Sequence, residues 1–229
     1  MPVAIVTGAS LGLGRALALD LASDGWSVVI DGRRAAPLEE ARQMIEARGS
    51  RVTAVPGDVA DPLHRLELVA AARALGSLEL LVNNASSLGV SPLPSLSSYP
   101  LEDLRRVMEV NVIAPLALFQ ESAELLRDSG GIVLVISSDA AIEPYEGWGG
   151  YGAAKAALDQ MHRILGVEEE GVKVYVVDPG DMRTEMHQAA FPGEDISDRP
   201  EPETAVPSIR RLLASGAPSG RYRTSEWST

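Results

Sequence analysis

The stretch Thr7-Gly8-Ala9-Ser10-Leu11-Gly12-Leu13-Gly14 closes a short apolar run and opens a segment of helical period. Glycine is a poor helix starter unless something must approach the backbone closely. The N-terminus of a helix presents unpaired N–H groups and the positive end of the dipole, so it favours an anion, and side chains there would keep a pyrophosphate away from the amides. A tight turn that needs positive φ would explain one glycine, but not Gly8, Gly12 and Gly14 together with Thr7 and Ser10. We read a dinucleotide-binding turn with Gly8, Ser10, Leu11, Gly12, Leu13 and Gly14 against the cofactor. The match to G-x-G-x-x-G/A counted from Gly12 is imperfect, because Leu17 stands at the last position.

Composition narrows the setting of this turn. With 229 residues and no abrupt shift in composition, the chain reads as one domain spanning residues 1–229. A formal net charge of −12 works against nucleic acid and anionic membrane as partners. The chain has no cysteine, and His64, His162 and His187 are not spaced as ligands, so no metal site is expected. No apolar run approaches the ~20 residues of a membrane span, and no basic leader precedes the first strand, which predicts a cytoplasmic protein.

Short β-branched runs recur at Val3–Thr7, Trp26–Ile30, Arg51–Val55, Leu78–Val82, Ile132–Ser137 and Val172–Val177. Each is continuous and bounded by Gly, Asp or Pro, as strands buried on both faces of a parallel sheet are. Helical segments lie between them at Arg15–Ala22, Pro37–Arg48, Pro62–Leu75, Leu101–Leu126 and Tyr151–Leu165. The alternation predicts an α/β fold: a doubly wound, Rossmann-type parallel sheet of about seven strands with helices on both faces. Periodicity disappears over Phe191–Pro207, which predicts a mobile substrate loop around residues 185–205.

Further signals fall at predicted strand ends. Asp31-Gly32-Arg33-Arg34 offers both an acid for an adenosine ribose and arginines for a 2′-phosphate, or else is a solvated turn. Asp58, with Val59 beside it, either reaches an adenine edge or caps the helix near Pro62. Tyr151 and Lys155 share one helix face, one turn apart. A phenol with a pKa of ~10 is a poor acid or base at neutral pH, and a nearby ammonium would favour its ionised form. The strand Ile132–Ile136 ends in Ser137-Ser138, whose hydroxyls would point into the ligand crevice.

These residues resemble the short-chain dehydrogenase/reductases in their compact single-domain form. The resemblance runs from Pro2 to about Thr184 and comprises the glycine turn, Asn83-Asn84-Ala85, Asn111, Ser138, Tyr151, Lys155, Pro179-Gly180 and Thr184. It implies hydride transfer between the nicotinamide of NAD(P) and a carbonyl or alcohol carbon. In that scheme Tyr151 is the general acid/base and Ser138 binds the substrate oxygen. Lys155 binds the nicotinamide ribose and lowers the Tyr151 pKa, while Asn111 holds a water that links Lys155 to solvent. Asn83 and Ala85 would line the cofactor near its ribose, Pro179, Gly180 and Thr184 would fix the carboxamide, and Met182 would lie against the ring. Asn84 would tie strands together.

Within the resemblance, Gly32 stands where NAD-preferring relatives carry an acid and Arg33 where NADP-preferring ones carry a base, which favours NADP(H). Asp31 and the uncharged Leu11 argue the other way. The resemblance also implies a homo-oligomer, dimer or tetramer. Two departures stand out: Ser86 replaces a glycine, crowding the crevice without obvious chemistry, and Glu168-Glu169-Glu170 ends the Tyr151 helix early, at the interface relatives commonly use. Ser219–Arg223 looks like the last strand. Trp148, Tyr145, Ile142, Met186 and Phe191 would either wall an apolar pocket for a small uncharged carbonyl or alcohol, or pack among themselves, with Glu143 and Glu146 at the rim. A catalytically silent dinucleotide sensor is the alternative, but such proteins lose the residues retained here at 111, 138, 151 and 155.

Overall fold

In the computed structural model, which describes residues 1–228, strands and helices alternate as predicted. The first half comprises β1 (Pro2–Val6), α1 (Gly12–Ser23), β2 (Ser27–Gly32), α2 (Ala35–Glu46), β3 (Val52–Pro56), α3 (Pro62–Leu75) and β4 (Ser77–Asn83). There follow α4 (Leu101–Met108), α5 (Ala114–Ser129), β5 (Ile132–Ile136), α6 (Gly149–Glu168), β6 (Lys173–Asp178), α7 (Glu185–Ala190), α8 (Val206–Ala214) and β7 (Gly220–Arg223). The 7-stranded sheet is parallel throughout, in the order β3-β2-β1-β4-β5-β6-β7. Chain order reverses between β1 and β4, which opens a crevice at the carboxyl ends of the strands.

The two-residue period of the strands divides the core between the faces of the sheet. Ala4, Val6, Val28, Ile30, Val82, Leu134 and Val177 pack under Leu17 and Leu21 of α1, Leu38 of α2 and Ile209 of α8. Val3, Ile5, Val29, Leu81, Val133 and Val176 pack under Leu68 of α3, Leu118 and Phe119 of α5 and Leu158 of α6. Both faces are dry, which is why the strands read as continuous apolar runs.

Two expectations need correction. The helix expected over Leu101–Leu126 is interrupted by a π-helical turn at Glu109–Ile113 and continues to Ser129. Pro115 has no N–H to give the carbonyl of Asn111 four residues earlier, so regular α-helical bonding cannot pass this point. The segment around 185–205 is also more structured than its composition implied. It opens with α7 and, after turns, closes with a 3₁₀ turn at Pro202–Ala205 that leads into α8. Pro207 reads as a breaker but sits in the first turn of α8, where its missing N–H is harmless. The early end of α6 at Glu168 is as expected, and Glu169 beyond it is held by the Arg127 guanidinium of α5.

Candidate active site

The crevice, about 500 Å³, is lined at one end by Gly8, Ser10, Leu11, Gly12 and Leu13. The glycines of the turn divide the work. Gly12 has φ +56°, and a Cβ there would meet only the Thr184 methyl at 3.5 Å, so its bareness faces the crevice. A Cβ on Gly14 would fall 2.4 Å from Asn84 Nδ2 and 2.5 Å from the Gly8 carbonyl. Gly14 therefore allows close packing of the turn against Asn84 and lies outside the crevice lining. Leu11 at the N-cap of α1 makes no side-chain cap and no acid occupies the first turn, so the leading amides are left for an anion. This cradle fits a dinucleotide pyrophosphate.

Beside it, the acid expected to face a ribose is turned inward. Asp31 is 1% exposed; Oδ1 accepts the Gly8 N–H and Oδ2 lies 3.0 Å from His64 Nε2. Burial pushes its carboxyl above the usual range, against the opposing pull of His64 and the Gly8 amide. Asp31 thus props up the glycine turn, which the sequence did not disclose because its partner His64 is supplied by α3.

Neighbouring candidates also shift. Arg33 is exposed and outside the crevice lining, whereas Arg34 and Arg15 line it, and Arg34 reaches across to Glu185 of α7 at 2.8 Å. Asp58 accepts from the Ala60 N–H at 3.0 Å and pairs with Arg106, while Asp61, not Asp58, caps α3. Val59 packs against Val110 and Ala114. Neither Asp58 nor Val59 lines the crevice. Asn83 is buried, with Nδ2 directed at the Pro115 carbonyl 3.4 Å away, and it too leaves the lining to Asn84 and Ala85. Asn84 donates to the Thr7 carbonyl at 2.8 Å and so ties β4 to the turn as expected.

At the other end, Ser138, Tyr151 and Lys155 line the crevice together. Ser138 lies two residues beyond the end of β5, and its Oγ donates to Asp139 Oδ1 at 2.9 Å. Tyr151 and Lys155 share a face of α6, the ammonium lying 5.5 Å from the phenol ring centroid and donating to the Ile136 carbonyl at 2.7 Å. The expected lowering of the phenol pKa by Lys155 is not found. Burial raises the Tyr151 pKa, and the groups opposing that rise are the hydroxyls of Ser138 and Ser86. The ammonium is engaged with the Ile136 carbonyl. Burial likewise lowers Lys155 to about 8, partly countered by Asp159.

Asn111 sits in the π turn, 1% exposed and outside the lining. Its side chain is taken up by a loop: Oδ1 accepts from Ser87 N at 2.7 Å and Ser86 Oγ at 3.2 Å, and Nδ2 donates to the Ser87 carbonyl at 2.8 Å. Ser86, read as an inert departure, touches both Asn111 and the environment of the phenol. No sequence signal separated it from a crowding substitution.

The remaining wall comes from the loop after β6 and from α7. Pro179, Gly180, Met182 and Thr184 line the crevice, and Thr184 caps α7 by accepting from His187 N at 3.1 Å. Gly180 adopts φ +78° and donates its N–H to Asp178 Oδ1 at 3.1 Å. Leu88, Trp148, Met186, Ala190 and Phe191 cluster over Tyr151, with the Trp148 ring 5.7 Å from Tyr151 and 5.9 Å from Phe191. Ile142 and Tyr145 are largely exposed and add little to this wall.

The parallel sheet, the bare glycine turn and the Ser-Tyr-Lys group in one crevice define a nucleotide-dependent oxidoreductase architecture, and the comparisons give it a family. The short-chain dehydrogenase model matches residues 2–195. Mouse (Mus musculus) sepiapterin reductase is 32% identical over 228 residues, covering 94% of this chain and 85% of that protein. A short-chain dehydrogenase of Shigella flexneri complexed with NADP superposes with TM-score 0.90 at 27% identity, covering 98% of this chain and 97% of that one. An alcohol dehydrogenase of Thermococcus sibiricus complexed with 5-hydroxy-NADP gives TM-score 0.87 at 25% identity, covering 97% and 95%.

The chain belongs to the short-chain dehydrogenase family. It is an oxidoreductase acting between CH–OH and C=O groups, and its family binds NAD(P). Among the described residues, no helix is long and apolar enough to cross a membrane.

Proposed function

We propose that the protein reduces a small, uncharged carbonyl compound, or oxidises the matching alcohol, with Tyr151 as the proton donor or acceptor. The observation that carries this reading is the meeting of Ser138, Tyr151 and Lys155 in the same crevice as the uncapped, glycine-opened start of α1. The turn, Ala85, Pro179, Gly180, Met182 and Thr184 would hold a nicotinamide dinucleotide, which would supply or take up the hydride. Ser138 Oγ turns its hydrogen from Asp139 to the substrate oxygen and stabilises the charge that develops there. In reduction, Tyr151 Oη gives that oxygen its proton; in oxidation it takes the proton back. The raised phenol pKa keeps the acid loaded for reduction. Lys155 holds a positive charge next to the ring while pH stays below about 8. Leu88, Trp148, Met186 and Phe191 keep water from the reacting oxygen and favour an apolar substrate body.

NADP(H) is the preferred cofactor in this reading. The acid that would repel a 2′-phosphate, Asp31, is buried and engaged, Gly32 carries no carboxylate, and Arg15 and Arg34 line the crevice with Arg33 nearby. We place the protein in the cytoplasm as a homo-oligomer, the latter supported by a mixed groove on the outer side of α5 and α6, where Leu116, Met161 and Ile164 lie beside Arg127, Glu168 and Glu169. The test is a panel of aldehydes, ketones and secondary alcohols followed by nicotinamide absorbance with each cofactor. Turnover with NADPH exceeding that with NADH is expected. A purified protein that binds either cofactor yet turns over no member of a broad panel would return the sensor reading.

A further inference from the structure

Directly behind Ser138 and Lys155 the protein buries a run of alternating charges that the proposed reaction does not use. Asp159 lies one helical turn beyond Lys155 on α6. Its carboxylate accepts from Ser137 Oγ and, at 2.8 Å, from Arg221 Nε of β7. The second N–H group of Arg221 donates to the Ser138 carbonyl at 3.0 Å and stands 3.5 Å from Asp178 Oδ2 at the end of β6. All three side chains are largely shielded, at 15% exposure for Arg221, 8% for Asp159 and 7% for Asp178.

The consequence is that consecutive residues at the end of β5 are each held from outside the strand. Lys155 takes the carbonyl of Ile136, Asp159 takes the hydroxyl of Ser137, and Arg221 takes the carbonyl of Ser138. Burying paired charges is an expensive way to hold a strand end, and well-packed apolar residues would serve the fold as well. What charges supply and apolar packing does not is a fixed direction for the Ser138 main chain and a field at Lys155. The groups facing that ammonium are Tyr151, Asp159 and His162 on its own helix, with Arg221 from β7 and Asp178 from β6 further along the run.

We infer that Asp159 and Arg221 form a positioning clamp for the reaction, aiming Ser138 at the crevice and keeping Lys155 charged beside Tyr151. The inference rests on the roles given to Ser138, Tyr151 and Lys155 above. Arg221 partly neutralises Asp159, so the two residues act on Lys155 in opposite directions.

This opposition provides a readout that needs no turnover. Lys155 and Lys173 are the only lysines of the chain, and Lys173 is exposed, so side-chain NMR can follow the Lys155 titration with an internal reference. In the full-length protein, Asp159→Asn is expected to move the Lys155 titration to lower pH by roughly half a unit or more, and Arg221→Met to higher pH. With a substrate from the carbonyl panel, each variant should lower kcat by about tenfold, the size expected for a displaced charged hydrogen-bond partner, while cofactor KM changes less than about twofold. The alkaline limb of kcat should follow the NMR titration, and Arg221→Lys should recover part of the rate.

Folded variants in which neither the Lys155 titration nor kcat moves, and only the melting temperature falls, would show Asp159 and Arg221 to be staples of β7 and overturn the clamp. A wild-type protein that turns over no carbonyl would instead defeat the reaction assigned above. In that event the lysine titration still decides the electrostatic half of the clamp, because an unmoved Lys155 refutes it.

Discussion

On the β1–β3 side of the crevice, Asp31 is turned into the protein and supports the Gly8 amide and His64, while Asp58, half-buried, closes its own turn and pairs with Arg106 at the surface. On the β4–β6 side, Ser138 and Tyr151 face the crevice with Asp178 at its edge, while Asp159 and Arg221 stand behind them. Both sides bury carboxylates, yet on one side the carboxylate shapes a backbone that meets the ligand and on the other it backs the side chains that do chemistry. An acid at a strand end is therefore read best by asking which nearby N–H groups lack an acceptor.

The strongest way to break this contrast is to remove the phenol hydroxyl. Tyr151→Phe should lower kcat by on the order of 10² to 10⁴ while cofactor affinity, measured by fluorescence titration, stays within about threefold, since a positioned acid is worth that much. Asp31→Ala should produce the opposite pattern. An orphaned Gly8 amide costs roughly 1–3 kcal/mol, so cofactor Kd should weaken by about 5- to 150-fold, with kcat at saturating cofactor little changed. If Asp31→Ala instead lowered kcat at unchanged Kd, the division between the two sides would be wrong.

A pH profile sharpens the β4–β6 half. Lys155, lowered by burial to about 8, is charged below that pH and neutral above it, so carbonyl reduction should be level to pH 8 and then fall by about tenfold per unit. The Arg34 side chain gives a smaller effect. Arg34→Ala should reduce the NADPH over NADH preference in kcat/KM by roughly tenfold, the size of one exposed phosphate contact, while Arg33→Ala changes it less. Smallest of all, Ser86→Gly should slow alcohol oxidation by about two- to fivefold through loss of a hydroxyl that favours the ionised phenol.

The parallel sheet, the alternation of strand and helix, and the glycine turn were legible because each rests on local pattern: continuous apolar runs, strand and helix in alternation, and glycines at one β-α junction. Ser138, Tyr151 and Lys155 were legible because a strand end and a helix period place them. Asp31, Asp58, Asn83 and Arg33 lie outside the crevice lining, and the sequence could not show this. Sequence marks a residue's position along a strand, but not the partner brought to it from a distant helix, as His64, Arg106 and Pro115 are. Arg221 and Asp159 were invisible as a pair because 62 residues separate them.

The π turn at Asn111 carries one residue more than an α-helix of the same rise would need. Each residue advances a helix by about 100°, so deleting a single position within 109–113 should turn α4 relative to α5 by that angle, with the break at Pro115 kept. The amide of residue 111 would then swing off Ser86 and Ser87, and the floor of the pocket would lose its anchor without any change to the residues that line it. The widened turn is thus a gear tooth that keeps two long helices in phase with the loop they support.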